Sequence, residues 1–137
     1  MTRRAAAPPT EPARGARSTW IPERQHLIWI DCNPQAGSEM RDFHPLLVLS
    51  PAAFNARTGL VIGLPMTTAP YNVGNPFAVA AGPVRTRGRD KPSFVLCHQP
   101  KSFDWRARGA KPHPLGRVGD EVFAEACAVL NQIVEIG

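Results

Sequence analysis

The densest group of side chains able to move protons or hold charge lies between Gly37 and Pro51, in GSEMRDFHPLLVLSP. Glu39, Arg41, Asp42 and His44 stand within six positions and run directly into an apolar block. A glycine-led stretch of mixed sign that ends on a His-Pro step is laid out as a mobile loop delivering side chains to a site. Two further polar groups, Thr67-Thr68 and His98 with Lys101, follow later apolar runs. Such a set can cleave RNA without a metal ion, because the ribose 2′-OH already lies beside its phosphate. The protein must supply a base for that hydroxyl, an acid for the leaving 5′-oxygen, and donors for the charged phosphorane. Histidine suits the proton transfers, Arg or Lys the phosphate, and a Thr hydroxyl a non-bridging oxygen.

Other chemistries find less support. No Gly-x-Ser-x-Gly elbow or cysteine-protease signature accompanies the Ser, His and Asp residues. His26, His44, His98 and His113 lack metal-ligand spacing, and Cys97-His98, as neighbours on a strand, would face opposite ways. No phosphate-cradling Gly-rich loop occurs. Phe103 and Trp105 in KSFDWRAR either stack on bases or enter the core. His44 before a proline and Thr67-Thr68 after one also have plain structural readings, as a strand opening and as turn chemistry.

The 137 residues suffice for one domain with a core, and no apolar run approaches the roughly 18–20 residues of a membrane helix, so a soluble protein is expected. Residues 1–19 are rich in Ala, Pro and Arg and read as a disordered basic tail, leaving 20–137 as the folded domain. That tail holds four Arg and one Glu, a net +3 of the chain's formal +5, so the domain itself is only mildly basic. Three widely spaced cysteines, Cys32, Cys97 and Cys127, point to reduced, buried thiols in a cytoplasmic setting.

The elements that must position the polar groups follow from apolar blocks. Strands are expected at Leu27–Ile30, Pro45–Ser50 and through LVIGLPMTT. SPAAFNARTG reads as a short helix, with Ser50 able to cap, Pro51 at the first position and Gly59 closing it. APYNVGNP reads as a turn-rich connection, FAVAA and SFVLC as strands, and GPVRTRGRDKP and RARGAKPHPLGR as basic loops. The last segment has helical spacing of Phe123, Ala126, Cys127, Leu130, Ile133 and Val134, with Asp120 and Glu121 at its front. The expected fold is mostly β with helices (α+β): about five short strands in a small antiparallel barrel with a C-terminal α-helix.

Three blocks in register, LIWIDCNPQAGSE, HPLLVLSPAAFNARTGLVIGLPMTT and QPKSFDWRARGA, resemble the MazF/PemK family of toxins from bacterial toxin–antitoxin pairs. The resemblance spans residues 20–137. It implies an SH3-like barrel of the CcdB/MazF/PemK type, a homodimer, and a sequence-specific endoribonuclease needing no cofactor or metal. It also implies a single-stranded mRNA substrate and a cognate MazE-like antitoxin whose disordered part covers the RNA groove. Glu39 stands at the family's loop glutamate and Thr67 at its strand-three threonine. The family's usual arginine before the strand-two proline is replaced by His44, so His44 is expected to transfer protons while Arg41 holds charge. Thr68, His98, Lys101, Arg106 and Arg108 are expected to bind RNA, and a His44/His98 pair would act as two histidines on one phosphate. The alternatives are a CcdB-like toxin acting on a protein such as DNA gyrase, or a non-catalytic binding relic. Thr67 with Glu39 distinguishes the RNA cleaver from the former.

Overall fold

The computed structural model describes residues 19–32, 43–86 and 88–135. Glu39, Arg41 and Asp42, and all but Thr19 of the proposed tail, lie outside the described residues. Seven strands and two helices follow in the order β1 His26–Asp31, β2 Phe43–Val48, α1 Ala52–Thr58, β3 Leu60–Thr67, β4 Ala78–Thr86, β5 Arg89–Leu96, β6 Lys101–Asp104, β7 Lys111–Arg117 and α2 Asp120–Val134. A short 3-10 turn, Pro70–Gly74, joins β3 to β4. The strands form one curled antiparallel sheet in the order β4-β5-β3-β2-β1-β7, with β6 added to β3.

The central strands are continuous in apolar residues because both faces of the sheet are covered. Leu27 pairs with Leu47, and Leu47 with Leu64. These side chains join Met66, Val79, Val95 and Cys97 on the face that receives Ala126 of α2. The alternate residues Ile28, Ile30, Leu46, Val48 and Val61 point the other way, toward Trp105. Gly63 allows the close approach of β3 to β2. A Cβ there would fall on the Leu47 carbonyl oxygen and 2.8 Å from Leu46 Cγ.

Asn55 of α1 is wholly buried and ties four segments together. Its Nδ2 donates to the carbonyls of Pro22 and Ser50 at 2.8 and 3.1 Å, and its Oδ1 accepts from Ser50 Oγ at 2.6 Å. The Asn55 carbonyl accepts from Trp105 Nε1 at 2.8 Å. Ser50 therefore does not cap α1, as its sequence position suggested: Pro51 is the N-cap residue, with no side-chain cap bond. Gly59 closes the helix as expected, at φ 75°.

Several expectations require correction. The basic segment GPVRTRGRDKP is not a loop, since β4 and β5 continue through it as a hairpin pairing Arg85 with Asp90 and Val84 with Lys91. Backbone pairing across a hairpin needs no apolar side chains, so the hydrophobic pattern could not reveal it. KPHPLGR is likewise the edge strand β7, a position that tolerates proline. The sheet has seven strands rather than about five. Only Cys97 of the three free thiols is fully buried, Cys32 and Cys127 being half-buried. Trp105 enters the core, 7% exposed, with its ring edge-on to Trp20 at 5.9 Å. Ile133 and Val134 are 43% and 48% exposed, because only the earlier turns of α2 lie over the sheet.

Candidate active site

The ends of β2 and β3 come together at a cavity of about 380 Å³ lined by Leu27, Trp29, Phe43, His44, Pro45, Met66, Thr67, Thr68, Ser93, His113, Pro114 and Leu115. Leu27 and Met66 are nearly buried, 2% and 3% exposed, and give it an apolar floor. The polar groups stand around that floor. His44 is exposed on β2 opposite Ile30, next to the residues outside the description. Thr67 ends β3, half-buried, and its Oγ1 accepts the Ala69 amide at 3.1 Å. That bond occupies a lone pair of the hydroxyl and leaves its hydrogen able to donate to a ligand.

Two irregularities of the sheet bring further residues to the cavity. In β4–β5 the register shifts between Ala80 and Gly82, where Gly82 adopts φ 90°. Ser93, opposite Gly82, donates its Oγ to the Gly82 carbonyl at 2.6 Å and is 2% exposed at the cavity wall. In β1–β7, His26 pairs with Arg117 but Ile28 already pairs with Pro112, so residues 113–116 bulge out opposite Leu27. Pro112 and Pro114 have no N–H for the ladder, and Gly116 takes φ 66° at the end of the bulge. Bulges of this kind re-aim side chains beside active sites. This one brings His113 onto the Trp29 ring, with centroids 4.6 Å apart and planes 29° from parallel.

His113 Nδ1 accepts the Leu115 amide at 3.1 Å. Burial pushes its pKa below the ordinary histidine value. Lys111 adds a cation near the rim, its Nζ 5.4 Å from the ring centroid of the lining residue Phe43.

Of the expected site residues, the structure thus assembles His44, Thr67 and Thr68. His98 does not line the cavity. It sits exposed after β5, 5.8 Å from the Phe77 ring and 3.3 Å from Gln99 Nε2. Lys101 opens β6 opposite Gly63, also outside the lining. Arg106 lies 4.3 Å over the Trp105 ring and donates to the Ala56 carbonyl at 3.5 Å. Arg108 donates to the Asp31 carbonyl at 3.1 Å, and the Asp31 amide donates back to the Arg108 carbonyl at 3.2 Å. Trp29, Ser93, Lys111 and His113 were not singled out as site residues in the sequence. The one usable signal was KPHPL, where two prolines around a histidine oppose regular pairing. Among the described residues no group of three or more His, Cys, Asp or Glu could hold a metal ion.

A curled antiparallel sheet with a C-terminal helix, and a threonine and a histidine on adjacent strand ends lining an apolar cleft, define a small β domain with a candidate site at one end of its sheet. Residues 23–134 match the family model described as PemK-like, MazF-like toxin of type II toxin-antitoxin system, and the chain belongs to that family. It is 39% identical over 117 residues to the endoribonuclease toxin MazF of Escherichia coli K12, covering 85% of this chain and 97% of that protein. Among solved structures it is similar to MazF of Deinococcus radiodurans, with TM-score 0.67, 35% identity, and 85% and 99% of the two chains covered. A MazE-MazF structure from the same organism matches with TM-score 0.67, 30% identity, and 86% and 99% covered.

Proposed function

We propose that this chain is the endoribonuclease toxin of a toxin–antitoxin pair, cleaving single-stranded mRNA and so halting translation and growth. The observation that carries this reading is that Thr67 and His44 line one apolar cleft. Its E. coli relative, 39% identical, is named an endoribonuclease toxin. In the proposed reaction the ribose O2′ attacks phosphorus and the P–O5′ bond breaks, giving a 2′,3′-cyclic phosphate and a 5′-OH. His44 exchanges a proton with one of these oxygens. Thr67 donates to a non-bridging oxygen whose charge grows in the transition state. Glu39 and Arg41 are assigned the remaining proton transfer and charge stabilisation.

Thr68 and Lys111 would meet the RNA at the cleft, and His98, Lys101, Arg106 and Arg108 would bind it beyond. The partners proposed are a cognate MazE-like antitoxin, consistent with the MazE-MazF relative, and a second copy of the chain in the cytoplasm. Exposed Leu60, Ile62, Tyr71, Val73 and Phe77 offer apolar surface for such contacts.

The deciding experiment incubates the purified, antitoxin-free chain with a long RNA in EDTA and maps the new ends. Cleavage at a short motif leaving a 2′,3′-cyclic phosphate is expected. Intact RNA from a folded protein refutes the reading, and growth arrest without RNA cleavage would direct attention to a protein target.

A further inference from the structure

Resting on the ribonuclease reading, we propose that His113 reads a base of the RNA, presented as a flat donor on Trp29, and carries no proton in the reaction. The geometry is specific to this residue. The bulge of residues 113–116 lifts His113 out of the β1–β7 ladder and lays its ring on Trp29 at 4.6 Å, and both residues line the cavity that His44 and Thr67 also line. Sequence-specific recognition of single-stranded RNA works by splaying a base out, stacking it on a ring and bonding its edge. A cleft walled by Trp29, Phe43, Pro45, Met66, Pro114 and Leu115 receives a flat apolar face of this kind.

The hydrogen bonds decide which task His113 can perform. With Nδ1 accepting the Leu115 amide, the neutral ring carries its proton on Nε2. Protonating Nδ1 would place N–H against N–H and forfeit that bond. Burial opposes the charge as well. His113 is therefore held as a neutral imidazole whose Nε2–H donates, which suits a carbonyl or ring-nitrogen acceptor on a base edge. His44, exposed at the mouth, keeps the proton-transfer role proposed above. The two histidines of this cleft thus divide the work between reading and chemistry.

Two variants of the full chain separate stacking from donation. His113→Phe keeps a ring for Trp29 and removes the donor, whereas His113→Ala removes both. The motif is first defined on wild-type protein by end mapping. In His113→Phe, discrimination at one motif position should fall about tenfold or more, through KM, with the pH–rate profile keeping its shape. In His113→Ala, binding of an oligomer made uncleavable by a 2′-deoxy sugar at the scissile position should weaken about tenfold or more. An unchanged motif in His113→Phe, or a pH–rate profile that loses a limb, overturns the proposal. If wild-type protein leaves every RNA intact, the ribonuclease reading fails on its own. A random-sequence single-stranded RNA, which needs no motif, then serves as the binding probe, and equal binding by wild type and His113→Ala overturns its role.

Discussion

Thr67→Val removes one hydroxyl from the cleft at nearly constant shape, and its consequences for rate and for stability can be separated in advance. Thr67 Oγ1 already accepts the Ala69 amide, so in the reaction its contribution is the hydrogen it donates to a non-bridging phosphate oxygen. Loss of a preorganised donor to a developing oxyanion costs about 10²–10³ in rate. Thr67 is half-buried rather than sealed from water, which places the expected loss near the lower bound, about 10²-fold or ~2.7 kcal/mol. The Ala69 amide also loses its acceptor, but at this exposure water replaces it, so stability should fall by only about 0.5–1 kcal/mol. For a chain of this size that is a drop of about 2–5 °C in Tm. Single-turnover cleavage of an end-labelled RNA in EDTA, with protein in excess, measures the first quantity and calorimetry the second. Thr67→Ser keeps the hydroxyl and should retain most of the rate. A folded Thr67→Val protein cleaving within about threefold of wild type would refute the assignment of Thr67 to the phosphate.

Further outcomes follow from individual residues. His44→Ala should slow cleavage by about 10²–10⁴-fold, the range for a positioned acid or base, and an unchanged rate would remove His44 from the chemistry. Asn55→Leu leaves the Pro22 and Ser50 carbonyls without their side-chain donor in a fully buried site. It should cost about 2–4 kcal/mol and roughly 10 °C in Tm by thermal unfolding. Burial, with Cys127 and Glu125 nearby, pushes the Cys97 thiol up to about 11, so a thiol reagent at pH 8 should modify it only on unfolding. Half-buried Cys32 should react in the folded state, and Cys127, its thiol also raised by burial, more slowly than a free thiol. The His113 pKa is lowered in the fold, so its stabilising contribution is complete above the unfolded value of 6.5 and is lost as pH falls through the folded value. The acid loss of stability should therefore be smaller in His113→Phe, as measured by denaturant titrations across that range.

The sequence by itself determined the strands that run through the core and the helices at their ends. Continuous apolar blocks such as Leu27–Ile30 and Leu46–Leu49 have no stable home except between two covered faces, and 3.6-residue spacing makes α2 legible in the sequence. The family resemblance placed Thr67, and His44 in the position of the family's arginine, as expected site residues, and both line the cleft. What the hydrophobic pattern could not carry was pairing that depends on backbone hydrogen bonds alone. The outer end of the β4–β5 hairpin is paired through its backbone, and the edge strand β7 buries little, so neither left a periodic signature.

Tertiary structure alone decided which polar residues share a site. The family resemblance suggested His98 as a partner for His44, yet β5 delivers it to the Phe77 side of the sheet, away from the cavity lining. His113, sixty-nine residues beyond His44 in the chain, arrives in its place because a proline-flanked bulge throws it out of the ladder and onto Trp29. Likewise Asn55 looked like an ordinary helical residue until the fold buried it among Pro22, Ser50 and Trp105. Residue types and local periodicity are properties of the chain. Register shifts and cross-strand neighbours arise only when distant strands compete for the same hydrogen bonds, and here that competition set the composition of the cleft.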